Sequence, residues 1–137
     1  MQHTQQTVIL MIEDSMVREG LKLLLEDMQL TVVSVGTPRE LEKTLSAHTA
    51  IPALIVLPLI LNSGKSATEI VCELRDRFKI SIPAILLGSE SELAEIQPKD
   101  FDLYVFPEQI KPKVLRNMIN EILMKVINKP INNKETS

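Results

Sequence analysis

The chain has 137 residues, enough for one folded domain with a substantial core. Its net charge of −3 argues against a nucleic-acid-binding domain, and its 45% hydrophobic and 24% charged content are typical of a soluble globular protein. No run reaches the ~18 apolar residues of a transmembrane helix, and no signal peptide precedes the first strand, so we expect a cytoplasmic protein that does not bind membranes. One cysteine (Cys72) excludes an internal disulfide, and adding His3 and His48 still leaves too few ligands for a zinc site.

Five short apolar runs alternate with amphipathic segments along the chain. The predicted strands are 7–12, 30–35, 51–61, 82–87 and 101–106. The predicted helices are 16–28, a segment from Pro38 that fades by His48, a segment after Ser66, a short one over 91–96, and 114–127. This alternation predicts an α/β domain with a doubly wound, five-stranded parallel sheet and helices on both faces. We expect residues 1–6 to be a leader, 7–127 the domain, and 128–137 a polar tail or the start of a linker.

The central run, IPALIVLPLIL at 51–61, has no charged residue and no alternation of polar and apolar positions. Such uniformity is typical of a parallel strand that is buried on both faces. In open α/β sheets, ligands and chemistry lie where the strands end. The end of this run is therefore the first place to look for function, and the residue there is Pro58.

The segment Asn62-Ser63-Gly64-Lys65-Ser66 follows the central strand and ends like a phosphate-binding loop. The first glycine of that motif would fall on Leu59, so the loop lacks the glycine-rich half that exposes backbone donors to phosphates. Ser66 as the cap of the next helix explains the same residues. We therefore predict a cap, as we do for Thr37 with Glu40 at the preceding helix.

Two adjacent carboxylates, Glu13 and Asp14, follow the first strand. Together with a third oxygen ligand they could hold a divalent cation. Asp14 could equally cap the helix that begins beside it. From the pair alone, the cap is the favoured interpretation.

Four stretches in order resemble the receiver domains of response regulators. They are ILMIEDSMVREGLKLLLED, IPALIVLPLILNSG, SIPAILLGS and DLYVFPEQIKPKVL, and the resemblance covers residues 7–125. It implies the flavodoxin-like, CheY-like strand order 2-1-3-4-5. In that family an aspartate at the end of the third strand accepts a phosphoryl group, assisted by a metal, a hydroxyl and a lysine.

The resemblance keeps the acidic pair, Glu13 and Asp14, but not the rest of the phosphorylation site. The acceptor position is Pro58, and no aspartate occurs between Asp27 and Asp76. The hydroxyl position is Gly88, with Ser89 as the nearest substitute. The lysine position falls on Phe106 or Pro107, and Lys111 lies several residues further along the chain. The chain thus resembles a degenerate receiver, a pseudo-receiver that is not an enzyme and needs no cofactor, with at most weak Mg²⁺ binding at the vestigial acidic pair.

The last predicted helix carries more apolar residues than one buried stripe requires. We therefore expect Val114, Leu115 or Leu123 to be exposed and to mark a partner surface. In receivers the fourth helix, fifth strand and fifth helix form the usual output and dimer face. The resemblance places Tyr104 on that face as well, and Met118 is a further candidate contact among the apolar residues of the last helix.

These observations predict a phosphorylation-independent signalling module of a bacterial two-component-type pathway. It would bind a protein partner, or a second copy, through the face of the fourth helix, fifth strand and fifth helix. One alternative is a phosphoacceptor regulator that uses Ser63 or Ser89. Another is a small-ligand-binding flavodoxin-like module.

Overall fold

Five strands alternate with five helices in the computed structural model, which describes residues 6–47, 52–79, 81–95 and 103–128. The strands are β1 Thr7–Met11, β2 Thr31–Val35, β3 Leu54–Pro58, β4 Ala84–Gly88 and β5 Leu103–Pro107. The helices are α1 Ser15–Asp27, α2 Pro38–Ala47, α3 Ala67–Phe78, α4 Glu90–Glu95 and α5 Pro112–Asn128. None of these helices is long and apolar enough to span a membrane.

Some predicted features lie outside the described residues. They are most of the leader, the tail from 129, the strand ends at Ile51 and Phe101, the helix end at Ile96, and the two histidines, His3 and His48.

The five strands form one parallel sheet in the order β2-β1-β3-β4-β5. This confirms both the predicted fold class and the strand order that the resemblance implied. The central strand β3 pairs with β1 through Ile9 and Ile55, and with β4 through Val56 and Ile85. Because all strands are parallel, their carboxyl ends lie along one edge of the sheet, where the loops that lead into the helices converge.

Strand β3 is buried on both faces, as its uniform sequence predicted, since its first four residues are all buried. It is shorter than the apolar run, because the chain leaves the sheet after Pro58. The Leu59 N–H still donates to the Leu87 carbonyl at 2.7 Å, and then a narrow turn begins. In that turn Leu61 N–H donates to the Lys65 carbonyl, and Gly64 adopts a φ of 93°, which favours glycine.

The core has two layers, one on each face of the sheet. Helices α2, α3 and α4 cover the face that carries Ile9, Ile55 and Leu86. Helices α1 and α5 cover the opposite face, which carries Leu10 and Val56. Neighbouring residues of one strand thus pack into different layers, as expected when side chains alternate across a sheet.

Two helix starts follow the capping predictions. Thr37 Oγ1 accepts from the Glu40 N–H at 3.2 Å, and the Glu40 carboxylate accepts in return from the Gly36 N–H at 2.7 Å. The return bond therefore reaches one residue earlier than in a standard capping box. Ser66 Oγ accepts from the Thr68 N–H at 3.1 Å, so Ser66 is the cap of α3.

The expectation that Leu115 or Leu123 is exposed is wrong. Both are buried, at 3% and 5% exposure, whereas Val114 is 46% exposed and Met118 is partly buried. Helix α5 packs on the sheet and also beside α1, so it buries a wider arc than a helix that touches the sheet alone. Leu115 and Leu123 belong to that arc and stabilise the domain's own core, so neither of them is an exposed apolar side chain.

Candidate functional site

The carboxyl ends of β1, β3, β4 and β5 surround a cleft of about 570 Å³. Its floor is apolar, formed by Ile12, Pro58, Ile60 and Leu87, and its rim is polar. The other lining residues are Glu13, Asp14, Val17, Asn62, Glu92, Glu108 and Gln109. This is the place where the sequence predicted function, and the structure brings Glu13, Asp14 and Pro58 together there.

Pro58 ends β3 beside Leu87 of β4 and is partly buried. Its ring carries neither a nucleophile nor an ionisable group, and its nitrogen has no hydrogen to donate. The acceptor position of the receiver resemblance is thus a piece of the apolar floor.

The acidic pair is held by backbone N–H groups. Glu13 Oε1 accepts from the Asn62 N–H at 2.8 Å, which ties the loop after β1 to the loop after β3. Asp14 Oδ1 accepts from the N–H groups of Met16 and Val17, at 2.9 and 3.1 Å. Asp14 is therefore the N-cap of α1, the interpretation that the sequence favoured.

Four carboxylates line the cleft: those of Glu13, Asp14, Glu92 and Glu108. Among the lining residues in the described ranges there is no lysine or arginine, so the cleft is negatively charged. The described residues nevertheless contain no group of three or more acidic, histidine or cysteine side chains placed to share a metal ion. No third carboxylate, histidine or cysteine of the described ranges is placed to share a metal ion with Glu13 and Asp14.

The hydroxyl position, Gly88, is filled by a neighbouring side chain. A Cβ built on Gly88 would lie 2.7 Å from Leu59 Cδ2 and 3.1 Å from Glu92 Oε1. Ser89, the predicted substitute, is the N-cap of α4. Its Oγ accepts from the Glu92 N–H at 3.3 Å, and its N–H donates to Glu92 Oε1 at 3.0 Å. This reciprocal capping box engages the Ser89 hydroxyl outside the cleft lining.

Neither candidate for the lysine position brings a cation to the cleft. Phe106 and Pro107 are the last two residues of β5, paired with Leu87 and Gly88, and Phe106 packs towards the α1 and α5 layer. Lys111 is exposed beyond the following turn and does not line the cleft. The residues of this loop that line the cleft are Glu108 and Gln109, and the charged one is acidic.

Three contributors to the site were missed by the sequence reasoning. Glu92 and Glu108 add negative charge to the rim, and Leu59 closes the space beside Gly88. Glu108 follows directly after the fifth strand, so its position at a strand end was a usable signal. Leu59 carried no such signal, because it reads as one more apolar residue of the central run.

The loop after β3 is not a phosphate-binding loop. Its narrow turn folds Leu59 and Leu61 into the core, and an isolated bridge joins Ile60 to Ser66. Lys65 Nζ lies 3.3 Å from a Glu73 carboxylate oxygen, where it forms an exposed ion pair. Ser63 is exposed in the same loop.

The predicted partner face includes the edge strand β5. Tyr104 is partly buried against the α1 and α5 layer, and Lys125 Nζ lies 5.8 Å from its ring centroid. A cation at that distance over a ring interacts favourably with it. Val114 and Met118 remain at least partly accessible on α5.

Comparison with solved structures shows which fold these elements build. The chain is similar to the PhyR receiver domain of Erythrobacter litoralis, with 15% identity over 88% of this chain and 91% of that domain, and a TM-score of 0.71. It is similar to a receiver domain from Clostridium thermocellum, with 13% identity over 89% and 97% of the two chains, and a TM-score of 0.75. The fold is that of a response-regulator receiver domain.

The chain is also similar to one part of a longer protein of known structure. The chain is 14% identical to PhyR from Brucella abortus, with 90% of this chain covering 50% of that one and a TM-score of 0.75. No protein-family model matches the chain, and no curated protein matches it in sequence.

Proposed function

We propose that this receiver-fold domain is a pseudo-receiver, which signals by binding a protein partner without aspartyl phosphorylation. The observation that carries the proposal is Pro58 at the end of β3, in the acceptor position of the fold. A proline side chain has no oxygen to attack a phosphoryl group, so the step that defines a phosphorylated receiver has no nucleophile there.

The surroundings of Pro58 support the same proposal. Leu59 fills the space beside Gly88, and Glu108 brings a negative charge where a phosphoryl group would require a positive one. The Asp14 carboxylate is engaged in starting α1. A phosphoryl group placed in this cleft would meet four carboxylates and no compensating cation from the lining residues that the structure describes.

We place the domain in a two-component-type pathway of a bacterial cytoplasm. A protein partner or a second copy would bind the face formed by α4, β5 and α5. Tyr104, Val114 and Met118 are its candidate contacts, because they stay partly accessible after Leu115 and Leu123 are assigned to the core. Light scattering during gel filtration, from micromolar to near-millimolar protein, distinguishes a second copy from a different partner.

Phosphoryl mimicry tests the proposal directly. We expect acetyl phosphate, or beryllofluoride with magnesium, to leave the amide spectrum of the ¹⁵N-labelled domain unchanged. Intact mass measured after acetyl phosphate treatment should show no added phosphoryl group. Shifts that spread from Gly88 to Tyr104 would overturn the proposal, and a label mapped to Ser63 or Ser89 would support the alternative phosphoacceptor.

The cleft volume supports a second candidate, a small-ligand-binding module. About 570 Å³ lies within the ~300–1,000 Å³ typical of ligand pockets. The charge of the rim would favour a cationic ligand. Titration with a polyamine such as spermidine tests this candidate. Specific binding would shift the amide resonances of Glu13 and Glu108, and the shifts would saturate.

A further inference from the structure

A shallow groove of about 510 Å³ lies between α2 and α3, the helices that cover the face of the sheet opposite to α1 and α5. Its lining residues are Arg39, Glu42, Lys43, Ser46, Ala47 and Arg77. All but the last belong to α2, so the groove follows that helix from its first turn to its last residue. At the helical rise per residue, this stretch of α2 is about 12 Å long.

The charge of this groove is opposite to that of the whole chain. Three of its lining side chains are basic and one, Glu42, is acidic, whereas the chain has a net charge of −3. Glu42 is already paired, since its Oε1 lies 2.9 Å from Arg77 Nη1. This ion pair reaches from α2 to α3 and places the Arg77 guanidinium at the wall of the groove.

Arg39 and Lys43 are the basic side chains of the groove that remain available. Neither forms an ion pair with any residue that the structure describes. Of the two acidic residues of α2, Glu42 is paired across the groove and Glu40 accepts from the Gly36 N–H at 2.7 Å. Arg39 and Lys43 are exposed and lie four residues apart, so they share one side of the helix about 6 Å apart along its axis.

The shape of the groove indicates what kind of acidic ligand it fits. The groove is open to solvent, and its walls are mostly apolar, formed by Ala47 and the aliphatic stems of the basic side chains. A small anion would remain largely hydrated there, whereas a longer segment would cover the apolar walls and also meet the charges. Nucleic acid is disfavoured, because three basic side chains neutralise few phosphates and the chain as a whole is acidic.

We propose that the groove between α2 and α3 binds an acidic helix of a protein partner. Two carboxylates four residues apart on that helix would match the spacing of Arg39 and Lys43 and form charge-assisted hydrogen bonds with them. An apolar side chain three residues further along would pack where the small side chains of Ser46 and Ala47 leave room. This surface is separate from the face of α4, β5 and α5. The inference goes beyond the proposed function and does not depend on whether the domain is phosphorylated.

Two synthetic peptides test the inference. Both are alanine-based helices of about 20 residues, with two variable positions four residues apart and a leucine three residues after the second. The variable positions are glutamate in one peptide and glutamine in the other. We expect the glutamate peptide to shift the amide resonances of residues 39–47 and 75–78, and to bind more weakly as salt is raised. We expect the glutamine peptide to leave the spectrum unchanged.

Three results would each overturn the inference. They are equal binding of both peptides, no binding of the glutamate peptide at millimolar concentration, and tighter binding of a single-stranded oligonucleotide to the same residues.

Point variants locate the binding site. Arg39→Gln and Lys43→Gln should each weaken binding of the glutamate peptide about threefold, and roughly tenfold together, because each removes one exposed ion pair. Lys113→Gln, at an exposed basic residue of α5, is the matched control and should bind as the parent does. Unchanged binding by the double variant with an intact melting temperature overturns the inference. Self-association of the parent that the double variant lacks would overturn it in favour of a second copy.

The outcome is independent of the pseudo-receiver proposal. None of the residues that line the groove also lines the cleft over Pro58. Acetyl phosphate labelling therefore tests one proposal and peptide binding tests the other, so the two failures can be distinguished.

Discussion

Leu59 occupies the space that a side chain on Gly88 would need. The two residues are far apart in the sequence, but the Leu59 N–H donates to the Leu87 carbonyl, which brings the end of β3 against the end of β4. A Cβ on Gly88 would lie 2.9 Å from Leu59 Cβ, closer than two such atoms approach in proteins. Leu59 is fully buried, so it has little freedom to move aside.

The same substitution at two glycines should therefore have opposite effects. Gly88→Ala should lower the free energy of unfolding by about 1–3 kcal/mol, the usual range for overpacking a core. Gly20→Ala should raise it by roughly 0.5–1 kcal/mol, because it replaces glycine in an open helical position. Urea denaturation of both variants measures the difference. A Gly88→Ala variant as stable as the parent would show that the Leu59 side chain can move aside at little cost.

Restoring the acceptor residue alone should not restore phosphorylation. In Pro58→Asp the new carboxylate would still lack a cation to contact the phosphoryl oxygens, and it would face Glu108 across the cleft. We expect little or no label from acetyl phosphate by intact mass. Stoichiometric labelling of this variant would show that Lys111 or another cation reaches the cleft.

Magnesium should stabilise the parent domain very little. If its dissociation constant is about 10 mM or weaker, 5 mM magnesium adds only ~0.2 kcal/mol, or about 1 °C in melting temperature. Pro58→Asp should respond more strongly, since it supplies a third carboxylate beside Glu13 and Asp14. Thermal melts of the two proteins with and without magnesium make the comparison. A shift of several degrees in the parent would identify Glu13 and Asp14 as a working metal site.

Asp14 can be tested as a cap with two substitutions. Asp14→Asn should retain most of the stability, because asparagine caps helices about as well as aspartate. Asp14→Ala should lower the free energy of unfolding by about 1 kcal/mol, since the Met16 and Val17 N–H groups lose their acceptor. Urea denaturation in the absence of metal measures the stability of both variants. An equal loss in both variants would mean that the charge of Asp14 matters more than its hydrogen bonds.

Two apolar positions of α5 should differ in their contribution to stability, because one lies in the core and the other on the surface. Leu123→Ala should lower the free energy of unfolding by about 2–5 kcal/mol, the usual cost of truncating a buried leucine. Val114→Ala, at a position that is 46% exposed, should change it by about 0.5 kcal/mol or less. Thermal or urea unfolding reports both values, and similar losses would contradict the assigned burial.

The fold could be predicted because its signals are local. The uniform apolar run of β3 indicated burial on both faces, and Thr37 and Ser66 marked helix starts through contacts within a few residues. The occupied space beside Gly88 could not be predicted in the same way. It depends on a contact between two strands that no local pattern records.

The apolar excess of α5 was visible in the sequence, but its burial was not. The number of apolar positions shows how wide the apolar face of α5 is. What each of these residues packs against depends on how α5 lies beside α1, and the sequence does not show this. The sequence therefore indicated an exposed surface on α5, whereas three of the five large exposed hydrophobic side chains that the structure describes lie on α1.

The cap made by Asp14 has a consequence for the sequence evolution of such domains. A chain that loses Asp14 loses the hydrogen bonds that start α1, whether or not a metal or phosphoryl group ever enters the cleft. Folding alone would then select against many substitutions at this position after the chemistry has disappeared. An acidic residue at the end of the first strand is consequently a poor marker of phosphotransfer, and the residue that ends the third strand is the more informative one to inspect.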